Sequence, residues 1–162
     1  EMYDVLMNEM ETHGLKQYEI SNFAKPGFSS IHNKIYWDND EYAGFGAGAH
    51  GYLEGVRYSN YGPIKKYMEA VEAGSRPVVH EHEVTQTERK EEQMFLGLRK
   101  TDGISNEVFE RKFNETIFDT YRKVIEGLVK DGLLESNEYG IRLTRKGRFV
   151  GNEVFQQFLL ED

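Results

Sequence analysis

Cysteine is absent from the 162 residues of this chain. Its absence excludes a disulfide framework, a thiolate nucleophile and a cysteine-ligated metal site, including the usual cysteine-held iron–sulfur cluster. Long apolar runs are also missing, so the sequence predicts neither a transmembrane segment nor a signal peptide. Together these absences predict a soluble protein of a reducing compartment, and we expect a cytoplasmic location.

The charge balance is acidic, with 20 basic and 28 acidic side chains and a formal net charge of -8. Residues 1–83 carry 7 basic and 13 acidic side chains, whereas residues 84–162 carry 13 and 15. Neither part has the basic surface that neutralises nucleic-acid phosphates, so we expect no nucleic-acid partner. A basic cluster near the end of the chain keeps a winged-helix-like interaction module open as an alternative of another class. The cluster consists of Arg142, Arg145, Lys146 and Arg148.

Candidate chemistry is concentrated in residues 18–51, which hold the only tryptophan and three short motifs. The motifs are YEISNFAKPG at 18–27, HNKIYW at 32–37 and GFGAGAHG at 44–51. Neutral imidazole is a standard axial ligand of heme iron, a phenolate is a rarer one, and an indole can stack on a porphyrin. The second motif is therefore a candidate heme contact. The alternative is that its polar side chains bond to loop backbone while its aromatic rings fill a core. The residues concerned are His32, Asn33, Tyr36 and Trp37.

The glycine-rich motif at 44–51 allows the backbone to approach a ligand closely and to reach positive φ. A GxGxG run can cradle phosphate, but this one lacks the strand–turn–helix context and the lysine of phosphate-binding loops. A close-packed strand is the alternative interpretation. The candidate ligand contacts in this motif are Gly46, Gly48, Ala49 and His50.

Two further histidines, His80 and His82, alternate with glutamates and could place two imidazoles on one face of a strand. Because no third ligand is evident nearby, we interpret residues 75–84 as a solvated connector and predict no metal site. The sequence shows no Ser–His–Asp or Cys–His arrangement, and no acidic pair is marked by an apolar setting. We therefore assign no catalytic residue.

The three motifs, in this order, resemble the later part of the oxygen-independent coproporphyrinogen III oxidase-like family, a radical S-adenosylmethionine family. The HNxxYW element resembles its HemW-type branch of heme chaperones. The sequences FLGLR at 95–99, TDG at 101–103 and GLL at 132–134 resemble the family's C-terminal domain. The resemblance implies that the protein binds heme, with His32 as axial ligand, and passes it to a heme-acceptor protein. The runner-up within the family is oxygen-independent coproporphyrinogen III dehydrogenase of porphyrin biosynthesis, against which the HNxxYW element argues.

Members of this family hold a [4Fe–4S] cluster on three cysteines, and this chain has none. The resemblance therefore implies a missing N-terminal barrel that carries the cluster and most of the S-adenosylmethionine site. It also implies that residues around His50 face the S-adenosylmethionine pocket. We expect the chain alone to perform no radical chemistry.

The patterning, together with the resemblance, predicts an α+β fold in two parts. Residues 1–83 are expected to be the end of a partial (β/α) radical SAM barrel. Residues 84–162 are expected to form a small, mostly helical, winged-helix-like C-terminal domain with a β-wing. In the first part the expected elements are a helix at 2–13, a strand at 17–23, a loop at 28–35, a short strand or packed loop end at 36–37, a hairpin turning at 54–55 and a helix at 63–73. In the second part they are helices capped by Thr85 and Ser105, a helix spanning 117–128, a hairpin at 133–144 and a last helix capped by Thr144.

Overall fold

The computed structural model describes residues 2–160, which form eight helices and eight short strands in an α+β arrangement. The helices are α1 (Met2–Thr12), α2 (Ile31–Trp37), α3 (Ile64–Glu72), α4 (Gln86–Gly97), α5 (Asn106–Phe113), α6 (Ile117–Lys130), α7 (Arg145–Phe149) and α8 (Gly151–Gln156). The strands are β1 (Lys16–Gln17), β2 (Phe23–Ala24), β3 (His50–Leu53), β4 (Val56–Asn60), β5 (Val78–Glu83), β6 (Ile104–Ser105), β7 (Leu134–Asn137) and β8 (Gly140–Leu143). No helix within residues 2–160 has the length and apolar character needed to cross a membrane.

The strands form three small sheets, in the orders β1-β2, β3-β4-β5 and β6-β8-β7. Every pair in these sheets is antiparallel. The mixed α+β class is therefore confirmed. A (β/α) barrel is built from parallel strands, so the barrel part of the prediction is not confirmed within the described residues. The predicted hairpin is present as β7 and β8, but β6 pairs with β8 as well, and the winged-helix layout is not confirmed.

The predicted strand at 17–23 is wrong, because the chain folds back on itself within that segment. Gln17 pairs with Phe23 across the two-stranded sheet. Between them the buried Glu19 carboxylate accepts hydrogen bonds from Ser21 N at 2.8 Å and Asn22 Nδ2 at 2.6 Å. This local capping of a turn outweighs the alternating pattern that suggested one continuous strand.

Two other expectations in the first part are also wrong. The predicted loop at 28–35 and the short strand or loop end at 36–37 are largely replaced by α2, which Ser30 caps by accepting a hydrogen bond from Asn33 N. The predicted connector at 75–84 contains β5, which pairs with β4. By contrast, α1, the hairpin at 54–55 and α3 are confirmed. Glu54 and Gly55 both have positive φ, as a tight hairpin turn requires.

The second part follows the local signals of its sequence closely. Thr85 and Glu88 form a complete capping box at the start of α4, and Ser105 caps α5. The last predicted helix differs from the expectation, because it is interrupted at Val150 and continues as α8. Val150 has φ -118 and ψ 30, which lies outside helical geometry.

The buried members of the main hydrophobic core all lie within residues 84–162, and Ile20 from the first part packs against them. Its buried members come from α4, α5, α6, the β6-β8-β7 sheet and the end of the chain. They are Met94, Leu98, Ile104, Phe109, Phe113, Ile117, Tyr121, Ile125, Leu128, Leu134, Ile141, Leu143, Val154 and Phe158. Aromatic rings join α5, α6 and the end of the chain, with the Phe109 and Tyr121 centroids 6.4 Å apart and those of Tyr121 and Phe158 5.3 Å apart. This packing supplies the second part with its own source of hydrophobic stabilisation.

We predict that residues 84–162 fold without the rest of the chain. The reason is that all buried members of the core lie in this segment, although a domain of this size is only marginally stable. Circular dichroism of the isolated segment should show helical signal and a cooperative thermal transition. A broad, non-cooperative loss of signal would contradict the division of the chain between residues 83 and 84.

Candidate functional site

Helix α2 carries the whole HNxxYW motif on seven residues. His32 and Tyr36 lie one helical turn apart and therefore share a face. The Tyr36 hydroxyl oxygen is 3.0 Å from His32 Nε2, and the two rings meet edge to face with centroids 4.8 Å apart. His32 is exposed and Tyr36 is half-buried. The two side chains thus form one hydrogen-bonded pair at the surface.

The other two residues of the motif contact different parts of the chain. Asn33 Nδ2 donates to the Tyr18 hydroxyl at 3.4 Å. The Trp37 ring packs against the Arg99 guanidinium, whose carbon lies 4.5 Å from the ring centroid, a cation–π distance. Trp37 Nε1 and Arg99 Nε are buried and hydrogen-bond to none of the described residues. Trp37 therefore anchors α2 against the end of α4.

A cavity of about 410 Å³ opens beside α2. Its polar edge is made by Asn39, Asp40, Arg57 and Glu92, and its aromatic and aliphatic wall by Tyr36, Trp37, Tyr42, Phe95 and Leu96. The Tyr42 ring meets Tyr36 at a centroid distance of 4.5 Å and an angle of 78°. An aromatic row therefore runs from His32 through Tyr36 to Tyr42. Such a wall suits a flat, largely apolar ligand.

The polar edge of the cavity is held by an ion pair between β4 and α4. Arg57 Nε and its terminal nitrogen donate to the two Glu92 carboxylate oxygens at 3.0 and 2.6 Å, a bidentate arrangement. Burial acts to lower the pKa of Arg57, but the hydrogen bonds and charge of Glu92 outweigh it and raise that pKa above its ordinary value. The guanidinium also covers the Tyr52 ring at 4.7 Å. This pair fixes one side of the cavity.

Two lysines from the second part of the chain hold the end of α2. Lys100 forms an ion pair with Asp38, the residue that follows the helix. Lys112, on α5, has a side chain only 18% exposed, and its ammonium group contacts four oxygens. These oxygens are Asp38 O, Asn39 O at 3.3 Å, Asp40 Oδ1 at 2.9 Å and Gln93 Oε1 at 3.1 Å. A cation at a helix C-terminus also complements the helix dipole.

Residues 44–49 of the glycine-rich motif form the loop before β3, and backbone groups of this loop hydrogen-bond to the chain itself. Gly46 and Gly48 adopt positive φ, at 99° and 71°. The buried Asn60 side chain donates to Gly46 O at 2.9 Å, and Asn60 N donates to Ala49 O at 2.9 Å. These contacts agree with the close-packed interpretation of the loop. His50 is exposed on β3, opposite Ser59, so the ligand roles of this motif stay predictions.

Several side chains of the remaining charged clusters are engaged within the chain. His80 and His82 share a face of β5, and His82 Nε2 lies 2.9 Å from Glu88 Oε1. Within residues 2–160 no group of three or more histidine or acidic side chains is arranged to hold a metal ion. In the basic cluster, Arg142 pairs with Glu135, Arg145 with Asp4, and Lys146 donates to Asp131 O.

Several residues at this site were missed by the sequence argument. Arg99 belongs to the FLGLR motif that carries part of the family resemblance, but its contact with Trp37 was not predicted. Tyr42, Arg57 and Lys112 had no such signal. Their roles depend on strand pairing and helix packing that bring distant residues together.

Comparisons with known proteins identify the chain's relatives. The HemN C-terminal domain model matches residues 84–150. Over 161 residues the chain is 48% identical to the heme chaperone HemW of Bacillus subtilis (strain 168), covering 99% of this chain and 42% of that protein. Over 162 residues it is 44% identical to the heme chaperone HemW of Lactococcus lactis subsp. lactis (strain IL1403), covering 100% and 42%. The chain thus spans about two fifths of the length of these relatives.

A solved structure shows the same fold. The coproporphyrinogen III oxidase HemN from Escherichia coli, described as a radical SAM enzyme, matches with a TM-score of 0.72 over 96% of this chain and 39% of that chain. The sequence identity in this match is 17%, so it establishes the fold and not the activity.

Proposed function

The chain belongs to the HemW/HemN-like family and includes its C-terminal domain, and from this premise we propose that it supplies the heme contact of a heme chaperone. The heme would bind at α2, with the HNxxYW residues and the adjoining cavity as its contacts. The observation that carries the proposal is the pairing of His32 and Tyr36 on one helix face beside an aromatic cavity. Both side chains are of types that ligate heme iron.

The names of the sequence relatives favour a chaperone over the alternative within the family. The two relatives named above, at 48% and 44% identity, are both named heme chaperones, and each aligns along nearly all of this chain. The coproporphyrinogen oxidase neighbour contributes the fold alone. As parts of the same proposal, a heme-acceptor protein is the partner, and the cytoplasm is the location.

The [4Fe–4S] cluster of radical SAM proteins does not fit the residues of this chain. A [4Fe–4S] cluster needs cysteine thiolates, and none of the 162 residues is a cysteine. The backbone of the glycine-rich loop, which the resemblance places near S-adenosylmethionine, is bonded to β4. We propose that a parent protein carries the cluster and S-adenosylmethionine on residues outside this sequence.

Hemin titration tests the proposal. The wild-type chain should give a saturable shift of the Soret band, and His32→Ala should weaken binding by at least about tenfold, the lower end of the usual cost of removing the hydrogen-bond partner of a metal ligand. The control is His80→Ala, because His80 is an exposed histidine on β5, outside the cavity lining. Equal losses in both variants would indicate adsorption of hemin on exposed imidazoles. No effect in His32→Ala would contradict a role for this residue.

A further inference from the structure

The hydrogen bond inside the HNxxYW motif restricts which atom can reach iron. His32 Nε2 is the imidazole nitrogen that lies 3.0 Å from the Tyr36 hydroxyl. When the phenol donates to Nε2, the imidazole carries its proton on Nδ1, and neither nitrogen has a free lone pair. In the other tautomer Nε2–H donates to the phenol oxygen, so that Nε2 is again occupied and only Nδ1 keeps a lone pair. Iron ligation by His32 through Nε2 would therefore require this bond to break. Tyr36, in contrast, would keep the bond while its oxygen turned to a metal.

The positions of the two side chains relative to the cavity also favour Tyr36 over His32 as the iron ligand. Tyr36 lines the 410 Å³ cavity, and His32 is not among its lining residues. On the cavity side the Tyr36 ring also meets the Tyr42 ring edge to face, with centroids 4.5 Å apart. His32 lies on the exposed side of the pair. A porphyrin whose apolar face is against the cavity wall would thus meet Tyr36 before His32.

We infer that Tyr36 is the axial ligand of ferric heme and that His32 supports it as a hydrogen-bond partner. This inference rests on the proposed function, since it assigns the ligand at that same site. As the Fe–O bond forms, the Tyr36 O–H bond breaks and its proton passes to His32 Nε2. Iron stays ferric throughout, and the phenolate replaces a water molecule on the heme. A hydrogen-bonded partner of this kind orients a ligand and tunes its basicity.

A tyrosinate ligand would make the release of heme depend on the oxidation state of its iron. A phenolate is a hard, anionic oxygen ligand that prefers ferric to ferrous iron. Reduction of the bound heme should therefore weaken the bond between iron and the Tyr36 oxygen, whereas an imidazole ligand would bind iron in both oxidation states. The chemical class of cargo that the site selects is a ferric porphyrin.

The test uses the full chain with hemin as the probe. The ferric complex of the wild type should show the charge-transfer absorption and the resonance Raman Fe–O stretch of a high-spin tyrosinate complex. Tyr36→Phe should abolish both signatures and lower affinity by more than about tenfold. His32→Ala should retain the Fe–O stretch, shift its frequency, and weaken binding less than Tyr36→Phe does. Reduction with dithionite should release heme from the wild type.

The matched control is Tyr139→Phe, because Tyr139 is an exposed tyrosine on the β7–β8 turn. This variant should keep the spectrum of the wild type. A low-spin, imidazole-ligated spectrum that survives Tyr36→Phe and disappears in His32→Ala would overturn the assignment while leaving heme binding at α2 intact. The absence of any saturable hemin binding to the wild type would overturn the proposed function as well.

Discussion

Phe109→Ala is expected to lower the free energy of unfolding by about 3–5 kcal/mol, the usual range for removing a buried phenylalanine. The Phe109 side chain is fully buried on α5, and its ring lies 4.6 Å from Phe113 and 6.4 Å from Tyr121. The truncation leaves a cavity in the main hydrophobic core, which these rings cannot close. A loss of this size approaches the whole stability of a small domain. Urea denaturation followed by circular dichroism measures it.

The control for Phe109→Ala is Phe45→Ala, because Phe45 is 88% exposed on the glycine-rich loop. That variant should change the free energy of unfolding by less than about 0.5 kcal/mol, as surface substitutions usually do. Similar losses for both phenylalanines would mean that the core does not lie where α5 and α6 meet. The comparison therefore tests the core directly and is independent of heme.

The helices of the second part could be predicted because their signals are local. The caps at Thr85 and Ser105 bond to backbone groups three residues away, and these residues are adjacent in the sequence to apolar stripes. The buried face of α6, which includes Ile117, Tyr121 and Leu128, follows helical spacing and enters the core as expected. Sequence periodicity is sufficient to predict a helix when a single face of that helix is buried in one core.

The first part was harder to predict because distant residues stabilise its elements. Helix α2 has seven residues and none that is buried, so it lacks an apolar stripe that a periodicity argument could find. Its ion pair with Lys100 joins residues 62 positions apart, and the one between Lys112 and Asp40 joins residues 72 apart. A helix this short is unstable by itself and depends on such tertiary contacts.

The sequence named the four motif residues of the candidate site but not their arrangement. Sequence and resemblance named His32, Asn33, Tyr36 and Trp37, and α2 carries all four. The hydrogen bond between His32 and Tyr36 follows only once the segment is known to be helical, because residues four apart then share a face. Because residues 28–35 were predicted as a loop, the pairing of His32 with Tyr36 was not predicted. The choice between these two side chains as iron ligand therefore did not arise from the sequence.

Lys112→Met is expected to release the end of α2 and to weaken hemin binding by about tenfold, because a support of the binding helix is lost. Methionine keeps most of the apolar stem but removes the ammonium group. The variant leaves the buried Gln93 carbonyl oxygen and the backbone carbonyl of Asn39 without the donor that they share. Loss of hydrogen bonds to a charged group of this kind costs about 1.5–3 kcal/mol.

The fluorescence of Trp37 measures the release of α2 in the absence of heme, because Trp37 is the only tryptophan and lies at the end of α2 against Arg99. Its fluorescence emission should shift to the red in Lys112→Met, and quenching by acrylamide should increase, since water reaches the loosened ring. The control is Lys123→Met, because Lys123 is exposed on α6.

Unchanged emission and unchanged hemin affinity in Lys112→Met would show that Lys112 does not position α2. A red shift with unchanged hemin affinity would place heme away from α2. Both changes together would show that the C-terminal domain positions the heme contact.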